Sequence, residues 1–235
     1  MEQNRVKVLI IDDSALMRKY LTDILSNSSQ IEVLGAALDA SIAARKINML
    51  NPDVITLDIE MPGMDGLTFL QKLMIANPVP AIMVSSLTTK GTDAAVRALE
   101  IGAFDVIGKP QIDKPESAAE FARDLIEKVI AAGQSKKYIK KRAPVKLEVE
   151  QKYSADVILS KAEMANKNKP TEKVIAIGAS TGGTEVIDQI LVNLPSGCPG
   201  IVITQHMPEK FTEAFANRVN TKSRLFVKEA QHGDR

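Results

Sequence analysis

The 235 residues are 45% hydrophobic, enough for a core in one domain with room for a second, which excludes a chain disordered throughout. Thirty basic against 29 acidic residues leave a net charge of +1, so no global field draws the chain to nucleic acid or to an anionic membrane. The single cysteine, Cys198, cannot pair within the chain, and no thiol and imidazole cluster has zinc-ligand spacing, which fits a reducing, cytoplasmic setting.

The opening MEQNRVKVLIIDD has a short apolar run ending in two carboxylates, neither a signal peptide nor a membrane span. No later apolar stretch approaches the ~18 residues that cross a bilayer, so no membrane insertion is expected. From residue 6 to about 132, β-branched runs alternate with amphipathic segments. VKVLII at 6–11, IEVLGAA at 31–37, VITL at 54–57, AIMV at 81–84 and FDVI at 104–107 are five predicted strands. After the first, Leu16, Met17, Tyr20, Leu21, Ile24 and Leu25 recur at helical spacing behind Ser14, a predicted N-cap. Further helices are predicted over Gly66–Asn77, stopped by Pro78, over Gly91–Ile101, and from Glu116 to Ala132, where Gly133 is the expected end. Strict alternation with right-handed crossovers gives a doubly wound parallel sheet, whose ligands bind beyond the carboxyl ends of the strands.

Residues 133–172 are rich in Lys and Glu with scattered apolar positions and read as a linker, with room for a short helix. Its basic run, Lys136–Arg142, is most simply a solvated block. From 173 to 235 the pattern resumes: VIAIGA, a Gly-rich turn, a helical face of Val186, Ile187, Ile190, Leu191 and Leu194, then IVIT at 201–204. There is no internal repeat. So short a parallel sheet is expected to leave an apolar edge unpaired.

The chemistry gathers at strand ends. Asp12 and Asp13 follow the first strand, Asp58 the third, Ser85 the fourth and Lys109 the fifth. Taken singly, each has a plain explanation: a helix cap, a hydroxyl satisfying backbone, a surface lysine. Together they make an all-oxygen site suited to Mg²⁺, in which a carboxylate takes a phosphoryl group while the metal and Lys109 neutralise its charge. A Ser85 hydroxyl bonded to that group would move with it and act as a switch.

In the second module, Gly178-Ala179-Ser180-Thr181-Gly182 fits G-x-S-x-G between a strand and a helix, where a nucleophile elbow lies, and His206 follows the next strand as a candidate base. The same turn equally cradles phosphate or a dinucleotide, and Ser180 equally caps the helix.

VLIIDDSALMR, VITLDIEMPGMDGL, IMVSSLT and GKPQ resemble the receiver domains of two-component response regulators over about residues 5–132. The resemblance implies a flavodoxin-like (βα)5 fold, phosphorylation of Asp58 by a histidine kinase, and Mg²⁺ on Asp13, Asp58 and the Glu60 carbonyl with support from Asp12. Val106 stands where many receivers carry an aromatic switch residue. VIAIGASTGGTEVI and VITQHMPEKFT, after a receiver and a linker, look like the chemotaxis response-regulator protein-glutamate methylesterases. That likeness implies that Ser180 attacks methyl esters of chemoreceptor glutamates with His206 as base. It also implies glutamine deamidation, and a receiver that blocks the esterase until Asp58 is phosphorylated.

The implied organisation is a receiver at 1–132, a linker at 133–172 and the first part of a parallel α/β esterase domain at 173–235. The family's catalytic aspartate, in a GMGxDGA context, has no counterpart here, and Asp234 does not match it, so weak or absent turnover is expected. A phosphorylation-dependent binding protein without catalysis is the alternative. A DNA-binding regulator is disfavoured by the lack of a basic recognition helix.

Overall fold

The computed structural model describes residues 5–86, 89–110, 115–136 and 173–234. The chain divides into two units, Met1–Ala143 and Pro144–Arg235, taken here one at a time. The first is a five-stranded parallel sheet in the order β2-β1-β3-β4-β5. Its elements alternate along the chain: β1 (Val6–Ile11), α1 (Ala15–Ser26), β2 (Ile31–Ala37), α2 (Ala40–Leu50), β3 (Val54–Asp58), α3 (Gly66–Ala76), β4 (Ala81–Ser85), α4 (Thr89–Ile101), β5 (Asp105–Gly108) and α5 (Pro115–Ser135).

The central strands are apolar almost throughout because helices cover both faces. Val8, Leu9, Ile10, Val54, Ile55, Leu57, Ile82, Met83 and Val84 are fully buried. One side is closed by Leu21 and Leu25 of α1 with Phe121, Leu125 and Val129 of α5, and Tyr20 stacks on Phe121 at 6.0 Å. Three helices start on side-chain caps: Ser14 accepts from the Met17 amide, Asp39 from Ile42 and Asp65 from Thr68. Strand β1 registers Val8 on Val54 and Ile11 on Leu57, and β3 registers Asp58 on Val84. The strand ends that carry the polar residues are thereby level with one another.

Predicted and observed boundaries agree at β1 and β2, and differ by a residue or two at β3, β4, β5 and the start of α4. Helix α5 is a correction, because it does not stop at Gly133 but runs through to Ser135. Gly133 sits where α5 crosses β1, and a Cβ there would lie 2.2 Å from Val6 Cγ1. The glycine permits a close approach and does not cap the helix. Beyond it, Lys136 donates to the Pro52 carbonyl at 2.8 Å and pairs with Asp53 at 3.2 Å. The remaining predicted linker and its possible helix lie outside the described residues.

The second unit has β6 (Val174–Ala179), α6 (Gly183–Asn193), β7 (Gly200–Gln205) and α7 (Glu209–Lys222). Strands β6 and β7 pair in parallel, Ala179 opposite Gln205. Ile187 and Leu191 of α6 pack with Phe215 and Val219 of α7 over one face. Val174 and Val202 remain 67% and 57% exposed, as expected for so narrow a sheet. Among the described residues no helix is long and apolar enough to cross a membrane.

Candidate phosphoryl site and serine turn

Three carboxylates converge at the carboxyl edge of the first sheet. Asp12, Asp13 and Asp58 each offer an oxygen within 4.8 Å of the others. Asp12 and Asp58 are buried, and Asp13 is exposed at the mouth. Lys109, one residue beyond β5, places Nζ 2.8 Å from Asp58 Oδ2 and 3.5 Å from Asp12 Oδ2. Its amide donates to the Ser85 carbonyl at 2.7 Å, which seats the β4 and β5 ends side by side. The Ser85 hydroxyl is buried and donates to the Ser86 carbonyl at 3.3 Å, the plain backbone role. The Glu60 amide donates to Asp58 Oδ1 at 3.3 Å, and its side chain is exposed.

Burial, and then the charge of Asp58, push the Asp12 carboxyl above its ordinary value. Burial does the same to Asp58, against the pull of Lys109. One ammonium does not compensate for burying two carboxylates. Burial works against the Lys109 charge, but the hydrogen bond and charge of Asp58, helped by Asp12, outweigh it and hold Lys109 above the usual lysine value. The donor set fits a small hard cation: three carboxylates of one cluster, with the buried Asp12 Oδ2 facing only a long 3.5 Å contact from Lys109 among the described residues.

Two contributors went unread in the sequence. Gly66 opens α3 against the end of β3, and a Cβ there would lie 2.0 Å from the Asp58 carbonyl oxygen. The only signal was a glycine at the first position of a helix. Arg18, on α1, donates from Nη1 to the carbonyls of both Asp12 and Asp13. Val106 is buried in β5 opposite Met83. It has no aromatic ring to swing.

In the second unit Ser180 and His206 directly follow the last registered pair of β6 and β7 and line one open depression of about 540 Å³ with Gly178, Ala179, Thr204 and Gln205. Both are exposed. The His206 amide donates to the Ala179 carbonyl at 3.0 Å, which extends the pairing one step beyond the strands. Helix α6 is capped at Gly182, in the left-handed region at φ 74°, with no side-chain cap, so the capping reading of Ser180 is not what the fold uses. Gln205, also unread in the sequence, donates from Nε2 to the Ser180 carbonyl at 2.8 Å and to the His206 carbonyl at 3.2 Å. Gly183 leaves room for it, since a Cβ there would lie 2.5 Å from Gln205 Oε1. Asp234 is held by Lys228 and the Gln231 amide.

Comparison with known proteins gives the same division. Residues 8–120 match the response regulator receiver domain family and residues 175–235 match the CheB methylesterase family. A protein-glutamate methylesterase/protein-glutamine glutaminase of Geobacter metallireducens is 49% identical over all of this chain and 64% of its own length. A similarly named protein of Rhodopseudomonas palustris is 44% identical, again over 64% of its length. The response regulator domain of Thermotoga maritima CheB superposes with a TM-score of 0.50 at 41% identity, covering 55% of this chain and 97% of that one. The first unit, by fold and acidic cluster, is a response-regulator receiver. The chain joins this receiver to a segment that matches the CheB methylesterase family, and it spans 64% of the length of these curated relatives.

Proposed function

We propose that the chain is the phosphorylation-regulated part of a chemotaxis protein-glutamate methylesterase, organised as a receiver that runs to the end of α5 at Ser135, a linker, and esterase sequence from 173 onward. The observation that carries the reading is the position of Lys109 Nζ, 2.8 Å from Asp58 Oδ2 beside the Asp12 and Asp13 carboxylates.

In this account an Asp58 oxygen attacks the phosphorus of a phosphohistidine on a histidine kinase, and the P–N bond breaks to return the kinase imidazole. Lys109 then turns from the carboxylate to the new phosphoryl oxygens. Mg²⁺, when bound, would neutralise those oxygens, held by Asp13, Asp58 and the Glu60 carbonyl with Asp12 behind them. The Ser85 hydroxyl exchanges its backbone acceptor for a phosphoryl oxygen and carries the β4–α4 connection with it. Because Val106 is a buried aliphatic, the signal runs through that connection and not through a ring flip.

In the second unit Ser180 attacks the ester carbonyl of a methylated chemoreceptor glutamate, or the amide of a glutamine, and His206 takes the proton. Methanol or ammonia leaves, and water releases the acyl group. Gln205 holds the two backbone segments in step. The setting is the cytoplasm, with neither nucleic acid nor membrane insertion involved.

The experiment is methanol release from methylated receptor by the full chain, with and without a phosphodonor. The reading requires that any release, weak without a counterpart of the family's aspartate, rise on phosphorylation and disappear in Ser180→Ala; release indifferent to both overturns it. A second reading, a phosphorylation-dependent binding protein, draws support from Asp234, whose carboxylate is committed to Lys228 and Gln231. It requires that receptor or kinase affinity change on phosphorylation while Ser180→Ala alters nothing.

A further inference from the structure

We propose that Arg18 is a positioning residue for the cation site. The inference rests on the reading that Asp12, Asp13 and Asp58 hold a divalent cation, and adds to it a residue that touches neither metal nor phosphoryl group.

Arg18 lies on α1, one turn after the Ser14 cap, and its amide donates to the Ser14 carbonyl at 2.9 Å. From there the side chain folds back over the β1–α1 turn, and the single atom Nη1 donates to the Asp12 carbonyl at 2.9 Å and to the Asp13 carbonyl at 2.8 Å. Two successive carbonyls drawn to one guanidinium nitrogen fix the peptide planes on both sides of Asp13. Asp12 is steadied independently by burial and by the Ser14 amide, which donates to its Oδ1 at 2.8 Å. Asp13 is exposed, and its main chain is what the guanidinium holds. The exposed member of the cluster is therefore the one most dependent on Arg18.

The role has a sign that separates it from simple electrostatics. Arg18 carries a positive charge close to a cation site, so deleting that charge alone would tighten Mg²⁺ binding. Loss of orientation has the opposite effect, and outlying positioning groups at metal sites typically account for about 10–100-fold in affinity.

The test is calorimetric titration of MgCl₂ into the full chain, with thermal melts in EDTA alongside. Arg18→Ala is expected to weaken Mg²⁺ about tenfold or more, and Arg18→Lys, which keeps the charge but loses the planar donor, to fall between it and the wild type. Lys19→Ala, which removes an equal charge from the neighbouring exposed position, is expected not to weaken binding. Should Arg18→Ala melt below the titration temperature, Arg18→Lys decides alone. Wild-type or tighter affinity in the folded Arg18 variants, while Asp13→Asn weakens binding, overturns the positioning role and leaves the cation site standing. No Mg²⁺ binding by the wild type, or none lost in Asp13→Asn, overturns the cation site and this inference with it.

Discussion

Gly66 and Asp58 are in backbone contact so close that a single methyl group at Gly66 would lie 2.0 Å from the Asp58 carbonyl oxygen. The Gly66 amide also donates to the Ile59 carbonyl at 2.9 Å, so α3 is clamped to the strand end that carries the candidate phosphoacceptor. Gly66→Ala must push the helix away. Overpacking of this kind costs roughly 1–3 kcal/mol, read from denaturant unfolding. It is also expected to slow phosphorylation of Asp58, because the acceptor moves with its backbone. Unchanged stability and rate would show that α3 yields without disturbing the site.

Lys128 and Asp105 form a buried ion pair at 2.8 Å, with side chains 1% and 5% exposed. Asp105 also accepts from the Val106 amide at 2.8 Å, so the pair ties α5 to the first residue of β5, four residues before Lys109. Lys128→Met strands a buried carboxylate and is expected to cost about 3–5 kcal/mol. Lys128→Met with Asp105→Leu is expected to recover much of that loss. Equal destabilisation in both variants would mean that packing, not charge pairing, sets the cost.

Asp12 carries a raised pKa through burial and then the Asp58 charge, so its ionised form opposes folding. The sign follows: above the raised folded value the charge costs stability, and that cost fades as pH falls through the folded value toward the ordinary carboxylate value. Asp12→Asn keeps an oxygen for the Ser14 amide and removes the charge. In EDTA at neutral pH it is expected to melt higher than the wild type, by on the order of 1 kcal/mol, with the advantage shrinking in acid. Saturating Mg²⁺ is expected to reverse the order, because it stabilises only the chain that binds it. A variant that melts lower in EDTA would contradict the crowding argument.

Asp65 shows the opposite sign. The Thr68 amide, outweighing a small burial penalty, holds its carboxyl below the usual range. Its stabilisation is present above the ordinary carboxylate value and is lost as pH falls through the lowered one. Asp65→Ala is expected to cost about 1 kcal/mol at neutral pH, and the gap from wild type to narrow in acid. A constant gap across that window would assign the loss to something other than the charged cap.

Gln205 connects the two residues assigned to the serine chemistry. Gln205→Leu keeps bulk and removes both donors, and is expected to lower any Ser180-dependent hydrolysis about tenfold or more, with little change in melting temperature. Full activity in Gln205→Leu would show that the turn is held without it.

Strand positions were legible because a doubly wound sheet buries both faces of its inner strands, so β1, β3 and β4 read as mostly apolar runs between turn residues. The acidic cluster was legible because strand-end residues of a parallel sheet are neighbours whatever their separation in the chain. Gly133 was misread because a glycine admitting a close crossing and one ending a helix look alike in one dimension. The Lys128 pairing left a trace that was passed over: with Phe121, Leu125 and Ala132 it lies on the apolar stripe of α5, where a lone lysine demands a buried partner. Arg18 and Gln205 left none, since both act on backbone carbonyls, which carry no sequence signature.

Asp58 is expected to accept a phosphoryl group beside a divalent cation. Intact-mass measurement of the full chain after incubation with a small phosphodonor tests it most directly. The account predicts a gain of one phosphoryl group that needs Mg²⁺ and is absent in Asp58→Asn. An unchanged mass, or an equal gain in Asp58→Asn, would contradict it.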